Sequence, residues 1–392
     1  MNVSELLSDL TVHYNAIIRQ TASHLRLTAS QAFHLISIPH SGISMSRLSH
    51  KLGLDTSTLT RNIQKLERLG LVKRTRNIYD KRILKIFLTA NGAQIVEGLD
   101  KKKLFNNKIY KCNILNTKQI DKILSNVKPN IIIHLAAQSL VDETINIKKY
   151  YEDNVKATKS LLILMKKHNI KKFVFSSTAA IYRENSIPIT EHSAIKPLSK
   201  YAKTKLICEK NIRKDKNINS IILRFFNVCA ALDKPCVGLL KNPVTHLIPT
   251  IVYKALFNKK IYIYGNDYNT PDGTCIRDYI HVKDICSAIE RSIIFLNKPN
   301  KSEVFNIGNK IGISNQSILN VVKKIIKKKI NLKYEKRRKG DIPILICNSD
   351  KARKRLLWSA KQSNLYNIIR DEINWVKQMD KMGFKRTFKN YI

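Results

Sequence analysis

Tyr201 and Lys205 stand four residues apart, a spacing that puts both side chains on one face of a helix. A phenol, whose ordinary pKa is about 10, acts as a base near neutrality only if a neighbouring cation stabilises its phenolate. Lys205 is placed to do so. Taken alone, such a pair is common and usually an exposed helical contact, but here its setting adds weight. The stretch Phe175-Ser176-Ser177-Thr178-Ala179-Ala180-Ile181-Tyr182 reads as the end of a strand, and open α/β sheets bind ligands outside the carboxyl ends of their strands. Hydroxyls of Ser176, Ser177 and Thr178 would then meet the phenol where a proton is exchanged. A second chemistry lies near the N-terminus. Ser57, Thr58, Thr60, Arg61 and Gln64 fall on the early turns of one expected helix, where short polar and guanidinium groups reach base edges in a major groove.

The elements that must hold these residues change style along the chain. Apolar residues recur at helical spacing from Val3 to Leu27, and Leu27-Thr28-Ala29-Ser30-Gln31 reads as a cap opening a helix through Ile38. Ser44 to Leu52 is a short amphipathic helix. Asp55 or Thr56 then caps a helix from Ser57 to Leu69, closed by Gly70. Leu71 to Arg74 and Ile83 to Leu88 alternate as strands around the polar turn Asn77 to Arg82, a hairpin wing whose Lys73, Arg74, Arg76, Lys81 and Arg82 face phosphates. Beyond a lysine run at Asp100 to Leu104, short β-branched segments alternate with helices, the pattern of parallel strands with crossovers. The clearest strands are 130–135, 172–175 and 220–224, with helices at 150–168 and 200–213 between them.

Composition narrows the class. A 43% hydrophobic content over 392 residues supports folded domains with sizeable cores. The seven cysteines (Cys112, Cys208, Cys229, Cys236, Cys275, Cys286, Cys347) are odd in number and nowhere spaced as a metal-binding or redox pair. A reducing cytoplasm is the expected compartment, without a metal. No signal-peptide pattern or membrane-length apolar run is present, so no membrane partner is expected. The net charge of +42 would suit a polyanion if it were clustered, yet the lysines are spread over the whole chain. Solvated faces are the plainer explanation outside the first hundred residues.

Two family resemblances emerge. Residues 1 to about 98 resemble the MarR family of winged-helix regulators, in Leu27-Thr28 with Gln31, Asp55-Thr56-Ser57-Thr58-Leu59-Thr60-Arg61, Leu69-Gly70-Leu71-Val72, and Asp80-Lys81-Arg82 with Leu88-Thr89. The resemblance implies double-stranded DNA as a partner through Ser57, Thr58, Thr60, Arg61, Gln64, Arg76 and Arg82. It also implies a homodimer formed by long helices after the wing, whereas here the helix starting at Gly92 runs out near Leu99.

From about Lys108 to Trp375 the chain resembles the extended short-chain dehydrogenase/reductase family, and within it the UDP-glucose 4-epimerases. The resemblance is carried by His134-Leu135-Ala136-Ala137, Tyr150-Tyr151 with Asn154-Val155, Arg224-Phe225-Phe226-Asn227, His246-Leu247-Ile248-Pro249, Tyr264-Gly265-Asn266-Asp267-Tyr268, Arg277-Asp278-Tyr279-Ile280-His281-Val282, Phe305-Asn306-Ile307-Gly308 and Arg337-Arg338-Lys339-Gly340-Asp341. It implies NAD as cofactor and a UDP-sugar as substrate, epimerised by transient oxidation at C4. By matching position, Thr178, Tyr201 and Lys205 would be catalytic. Asn113, Ile114, Leu135, Ala136, Ala137, Asn154, Ser176, Tyr201, Lys205 and Phe225 would line the cofactor. Thr178, Asn227, His246, Leu247, Tyr264, Arg277, Arg338 and Asp341 would bind substrate, with Leu345 at the sugar gate. The implied fold is α/β, an incomplete Rossmann-like doubly wound sheet with a smaller C-terminal substrate domain. It follows an α+β winged helix-turn-helix, and the domains divide as 1–100 and 101–392.

One part of that pattern is missing. The family opens with a strand and a glycine-rich turn whose amides hold the pyrophosphate, but no glycine occurs between Gly98 and Gly238. The first strand matching the family is Lys108 to Cys112, and the residue expected to be aspartate near the adenine is Asn113. Losing about three charge-assisted hydrogen bonds, at roughly 1.5–3 kcal/mol each, would weaken NAD binding by about 5–9 kcal/mol. Two further readings therefore stand beside an epimerase: a DNA-binding regulator with a degenerate epimerase-like body, and a fusion of two truncated genes.

Overall fold

A computed structural model describes residues 27–39, 42–52, 54–76, 84–96, 110–139, 146–183, 188–232, 237–239, 244–298, 302–338 and 341–381. The expected helix before Leu27, the wing turn with Lys81 and Arg82, and the junction at 100–104 lie outside them. The chain divides into two compact units, Met1–Lys111 and Cys112–Ile392.

In the first unit, α1 (Ala29–Ser37) opens on a reciprocal cap between Thr28 and Gln31, the pairing that Thr-x-x-Gln allows. After β1 (Ile43–Ser44) and α2 (Met45–Leu52), Asp55 caps α3 (Thr56–Arg68) by accepting the Thr58 backbone N–H at 2.8 Å. Gly70, at φ +68°, takes the left-handed conformation that ends the helix. β2 (Val72–Arg76) and β3 (Leu84–Leu88) pair antiparallel, and β1 joins on the other side of β3. Leu35, Leu48, Leu59, Ile63, Leu66 and Ile86, all fully buried, fill the core between helices and wing. Residues 90–96 are helical, starting two residues before the expected Gly92. This is a winged helix-turn-helix.

The second unit begins without its expected first strand. Lys108 and Ile109 lie outside the described residues, and Tyr110 to Cys112 carry no ladder hydrogen bonds. Helix α4 (Thr117–Val127) leads into β4 (Ile131–His134). One continuous helical segment follows, comprising α5 (Ile147–Tyr150), a π-helical turn (Tyr151–Lys156) and α6 (Ala157–Lys167). Then come β5 (Lys172–Thr178), α7 (Lys200–Lys214) and β6 (Asn219–Phe225). Later in the chain lie β7 (Asn227–Cys229), α8 (Leu247–Leu256), β8 (Ile261–Tyr264), β9 (Ile276–His281), α9 (Val282–Phe295) and β10 (Glu303–Ile307). The last elements are β11 (Gly312–Ser314), α10 (Asn315–Ile326), β12 (Leu332–Glu335), β13 (Ile344–Leu345), α11 (Asp350–Arg355) and α12 (Leu365–Lys381).

The principal sheet is four-stranded and wholly parallel, in the order β10-β6-β5-β4. Its inner strands β5 and β6 are near-continuous apolar runs covered on both faces. On one face Phe173, Phe175 and Ile222 meet Leu124, Leu161, Met165 and Ile212 of the helices. On the other, Val174, Ile221, Leu223 and Phe305 meet Ile285, Ala288 and Phe295 of α9. Among the described residues, no strand pairs with the outer edge of β4. A smaller C-terminal region packs α8, α10 and α12 around β8 and β9 through Ile251, Val252, Ile263, Ile318, Val322 and Ile369.

Candidate functional site

The register of the sheet aligns Thr178 of β5 with Phe225 of β6, so both strands end at one level. Ser199 caps α7 by accepting the Ala202 backbone N–H at 3.1 Å, and the first turn of that helix brings Tyr201 over this end of the sheet. The Thr178 hydroxyl accepts from the Ala180 N–H at 3.1 Å and is hydrogen-bonded to the Tyr201 phenol. Burial nevertheless pushes the Tyr201 pKa up to about 12, with the Thr178 hydrogen bond pulling the other way.

The expected help from Lys205 is not the arrangement seen. Its ammonium is buried, donates to the Ser176 carbonyl at 2.6 Å and lies 4.5 Å above the centre of the Phe175 ring. Burial lowers its pKa to about 8. The charge thus sits on the strand end beneath the phenol's helix, satisfied by a carbonyl and a π face instead of by the phenol itself.

A buried polar frame supports this cluster. Asn154, turned inward by the π-helical turn, donates to Thr204 Oγ1 at 3.0 Å and to the Gln138 carbonyl at 3.2 Å, and accepts from the Gln138 N–H at 2.8 Å. Such turns recur at functional sites. Ser176 Oγ donates to the His134 carbonyl at 3.1 Å, tying β5 to β4. Ser177 donates to Glu209, whose carboxylate is gripped by Arg224 at 3.1 and 2.7 Å. Arg224 also donates to the Tyr182 hydroxyl at 2.7 Å, which donates onward to Asn306 Oδ1 at 2.7 Å.

The sequence-derived substrate residues lie mainly around one cavity of about 380 Å³. Asn227, His246, Leu247, Tyr264, Arg277, Arg338 and Asp341 all line it; Thr178 does not. Arg338 Nε donates to Asp341 at 3.0 Å with its guanidinium 5.1 Å from the Tyr264 ring centre. Arg277 donates to the Ile276 and Pro343 carbonyls at 3.0 and 3.3 Å. Sequence reasoning missed Val244, Thr245, Thr250, Lys254, Tyr262 and Asn315, which also line the cavity. A signal existed for three of them: Thr250 and Lys254 follow Leu247 at helical spacing, and Tyr262 alternates with Tyr264 along β8. Leu345 is buried against Tyr182, Phe226 and Cys347 and is not part of the cavity wall.

The residues expected around the dinucleotide divide into two groups. Ser176, Lys205 and Asn154 are buried in the cluster just described with Tyr201 half-buried beside them, and Phe225 packs half-buried against the core around Val174, Ile221 and Phe305. Leu135 and Ala136 are exposed, Ala137 is half-buried, and Asn113 is an exposed turn residue whose side chain accepts from the Leu115 N–H at 2.9 Å; Ile114 beside it is half-buried. The nicotinamide-ribose half of a dinucleotide fits the first group. The pyrophosphate half does not fit the second, since the chain has no glycine from 99 to 237 with which backbone amides could close on phosphates.

On the first unit, Ser57, Thr58, Arg61 and Gln64 are exposed on α3, and Arg76 is exposed at the end of β2. Ser57 is occupied by a hydrogen bond to Asp55 at 2.5 Å, and Thr60 is turned back to the Thr56 carbonyl at 2.6 Å. Arg82 lies outside the described residues.

Comparison with known proteins bears on both units. The NAD dependent epimerase/dehydratase family model matches residues 70–308, and the MarR family model matches 27–84. They overlap in the wing, whose strands, among the described residues, pair within the first unit. A UDP-glucose 4-epimerase of Lactobacillus helveticus is 39% identical over 280 residues, covering 70% of this chain and 85% of that protein. Among solved structures, UDP-glucose 4-epimerase from Brucella ovis in complex with NAD superposes with a TM-score of 0.65 at 31% identity, over 67% of this chain and 83% of that one. The enzyme from Bifidobacterium longum in complex with NAD+ and UDP gives a TM-score of 0.66 at 29% identity, over 72% and 87%.

Proposed function

The chain belongs to the NAD dependent epimerase/dehydratase family, as a nucleotide-sugar epimerase, and from that premise we propose that it interconverts UDP-glucose and UDP-galactose. The observation that carries this reading is the cavity joining Asn227, His246, Leu247, Tyr264, Arg277, Arg338 and Asp341, a uridine diphosphate's worth of cations, acceptors and aromatic surface in one wall. Arg277 and Arg338 hold the diphosphate, because planar guanidinium groups match phosphate oxygens in pairs. Tyr264, Asn227, His246, Leu247 and Asp341 hold the remainder of the UDP.

The cofactor is NAD, which supplies a hydride acceptor and donor at the sugar C4 when bound. The chain's own residues handle the proton. Tyr201 takes it from the C4 hydroxyl, Thr178 holds that oxygen, and Lys205 provides the charge at the end of β5 against which a phenolate forms. With Tyr201 raised to about 12 in its buried setting, that phenolate needs the oxygen and ammonium partners drawn close. Asn113, Ile114, Leu135, Ala136, Ala137, Asn154, Ser176 and Phe225 would complete the cofactor's surroundings. Calorimetry with UDP and a UDP-galactose turnover assay with added NAD test the reading; folded protein that binds no UDP would sink it.

For the first unit we propose duplex DNA binding, favoured by the MarR match and the exposed Arg61 and Gln64 on α3. Reading two half-sites requires a homodimer. Fluorescence anisotropy across a salt series checks this, since phosphate contacts give a steep salt dependence, and binding that ignores salt counts against it. Domain limits of 1–100 and 101–392 and a cytoplasmic setting complete the proposal. The described cysteines are free thiols, and among the described residues no helix is long and apolar enough to cross a membrane.

A further inference from the structure

Among the described residues the principal sheet ends at β4, yet β4 has the chemistry of an interior strand. Ile131, Ile132 and Ile133 form an unbroken apolar run, which is the composition of strands covered on both faces inside parallel sheets. β5 and β6 have that composition and are buried along nearly their whole length. On β4, Ile133 is 39% exposed, and Leu135 just beyond the strand is 53% exposed. Natural edges are blunted by charge, proline or bulges; this one is three isoleucines and carries none of these.

A doubly wound sheet is built from two βαβαβ halves in the order 3-2-1-4-5-6. The run β4-β5-β6, with β10 outside β6, matches the 4-5-6 half of that order, so the neighbour due at the uncovered edge of β4 is strand 1, the strand whose following turn carries the phosphate-binding glycines. The edge that no described strand covers and the half of the dinucleotide site that lacks its glycines are therefore the same place.

We propose that a separate polypeptide, a βαβαβ fragment whose first strand ends in a glycine-rich turn, adds in parallel to the free edge of β4 and completes both the sheet and the cofactor site. The inference rests on the epimerase reading of the catalytic cluster. Main-chain hydrogen bonds along the edge supply affinity and Ile133 and Leu135 supply apolar contact, the mode by which extended segments join exposed sheets.

The test co-expresses the full chain with a tagged N-terminal βαβαβ fragment of the Lactobacillus helveticus UDP-glucose 4-epimerase. The expected result is one-to-one co-purification, NAD released by acid from the complex but not from the chain alone, and UDP-galactose turnover only in the complex. Ile133→Lys, or Ile133→Asp as an independent variant, abolishes co-purification while UDP binding measured by calorimetry is unchanged. Three results overturn the proposal and leave the epimerase reading intact: NAD on the chain alone, failure of the fragment to join a chain that still binds UDP, or a chain dimer that Ile133→Lys dissociates. Loss of UDP binding by the folded chain removes the epimerase reading and the proposal with it.

Discussion

β5 and β4 are neighbours in one parallel sheet and share the apolar composition of covered strands. Six of the seven β5 residues are buried, while only His134 of the four in β4 is. The buried strand carries Ser176 and Thr178 into a hydrogen-bonded polar cluster, and a separate cavity is walled by residues from β7 to the loop before β13. The exposed strand leads into Leu135 and Ala136, which face solvent. On the proposed reading, substrate recognition belongs to the C-terminal region, separable from the first half of the sheet, whereas cofactor retention needs both halves.

If the β5 side is as complete as its geometry implies, damage there is severe. Glu209 and Arg224 form a pair whose side chains are 2% and 3% exposed. Glu209→Ala leaves a buried guanidinium without its carboxylate, and the expected loss is about 3–5 kcal/mol. Urea unfolding of the second unit measures it, and a loss below about 1 kcal/mol would mean that water reaches this frame and the contrast with β4 is false. Next in size is Ile221→Ala in β6, a fully buried strand position, for which about 2–5 kcal/mol is expected from lost transfer energy and the cavity left behind. The same unfolding experiment reads both.

Much of this side was legible beforehand. The spacing of Tyr201 and Lys205, and hydroxyls at a strand end, located the cluster because helix and strand periodicities are local. The grip of Arg224 on Glu209 was not legible, since nothing in a sequence marks two residues on adjacent elements as a buried pair. Nor was the direction of Lys205: helical spacing gives the face, but the carbonyl of Ser176 comes from another element and captures the ammonium first. Lys254 was missed although helical spacing from Leu247 points to it. A lysine-rich composition makes any one lysine look like a solvated charge, and this one is 8% exposed. The missing glycines were legible as a gap in composition, whereas their consequence, an isoleucine strand with one bare edge, required the pairing order of the sheet.

His134 is where the two strands meet, and pH sharpens the comparison at the next level of effect. It is the buried end of β4, and its Nε2 lies 3.2 Å from Thr158 Oγ1. Because the Thr158 hydroxyl donates to the Asn154 carbonyl at 2.7 Å, the ring donates to Thr158 and is neutral. Burial, aided by the charge of Lys205, lowers its pKa to about 4 from 6.5. As pH falls below 6.5 the unfolded chain takes up the proton before the folded chain does, so this stabilisation is present above 6.5 and is lost on the way to 4. The largest loss is about 3 kcal/mol. His134→Gln keeps the donor and removes the titration, so its stability should fall less between pH 7 and 4 than that of the natural chain. Parallel slopes would mean that the inner end of β4 is as wet as its outer edge.

The smallest expected effect is the most direct probe of the exposed strand. Ile133→Ala removes the same atoms as Ile221→Ala, from a strand of the same sheet. Ile133 is already 39% exposed, so less area returns to water and no closed cavity forms. A cost below about 1 kcal/mol is expected, in the range of ordinary surface substitutions. The value measured on the chain alone fixes how far β4 behaves as an edge. Repeated in the presence of a fragment that pairs with β4, the same substitution should become as damaging as Ile221→Ala, because the added strand converts a solvent contact into a packed one. A cost above about 2 kcal/mol on the chain alone would mean that Ile133 is covered in solution by the chain itself, and the bare edge would then have to be sought elsewhere or abandoned.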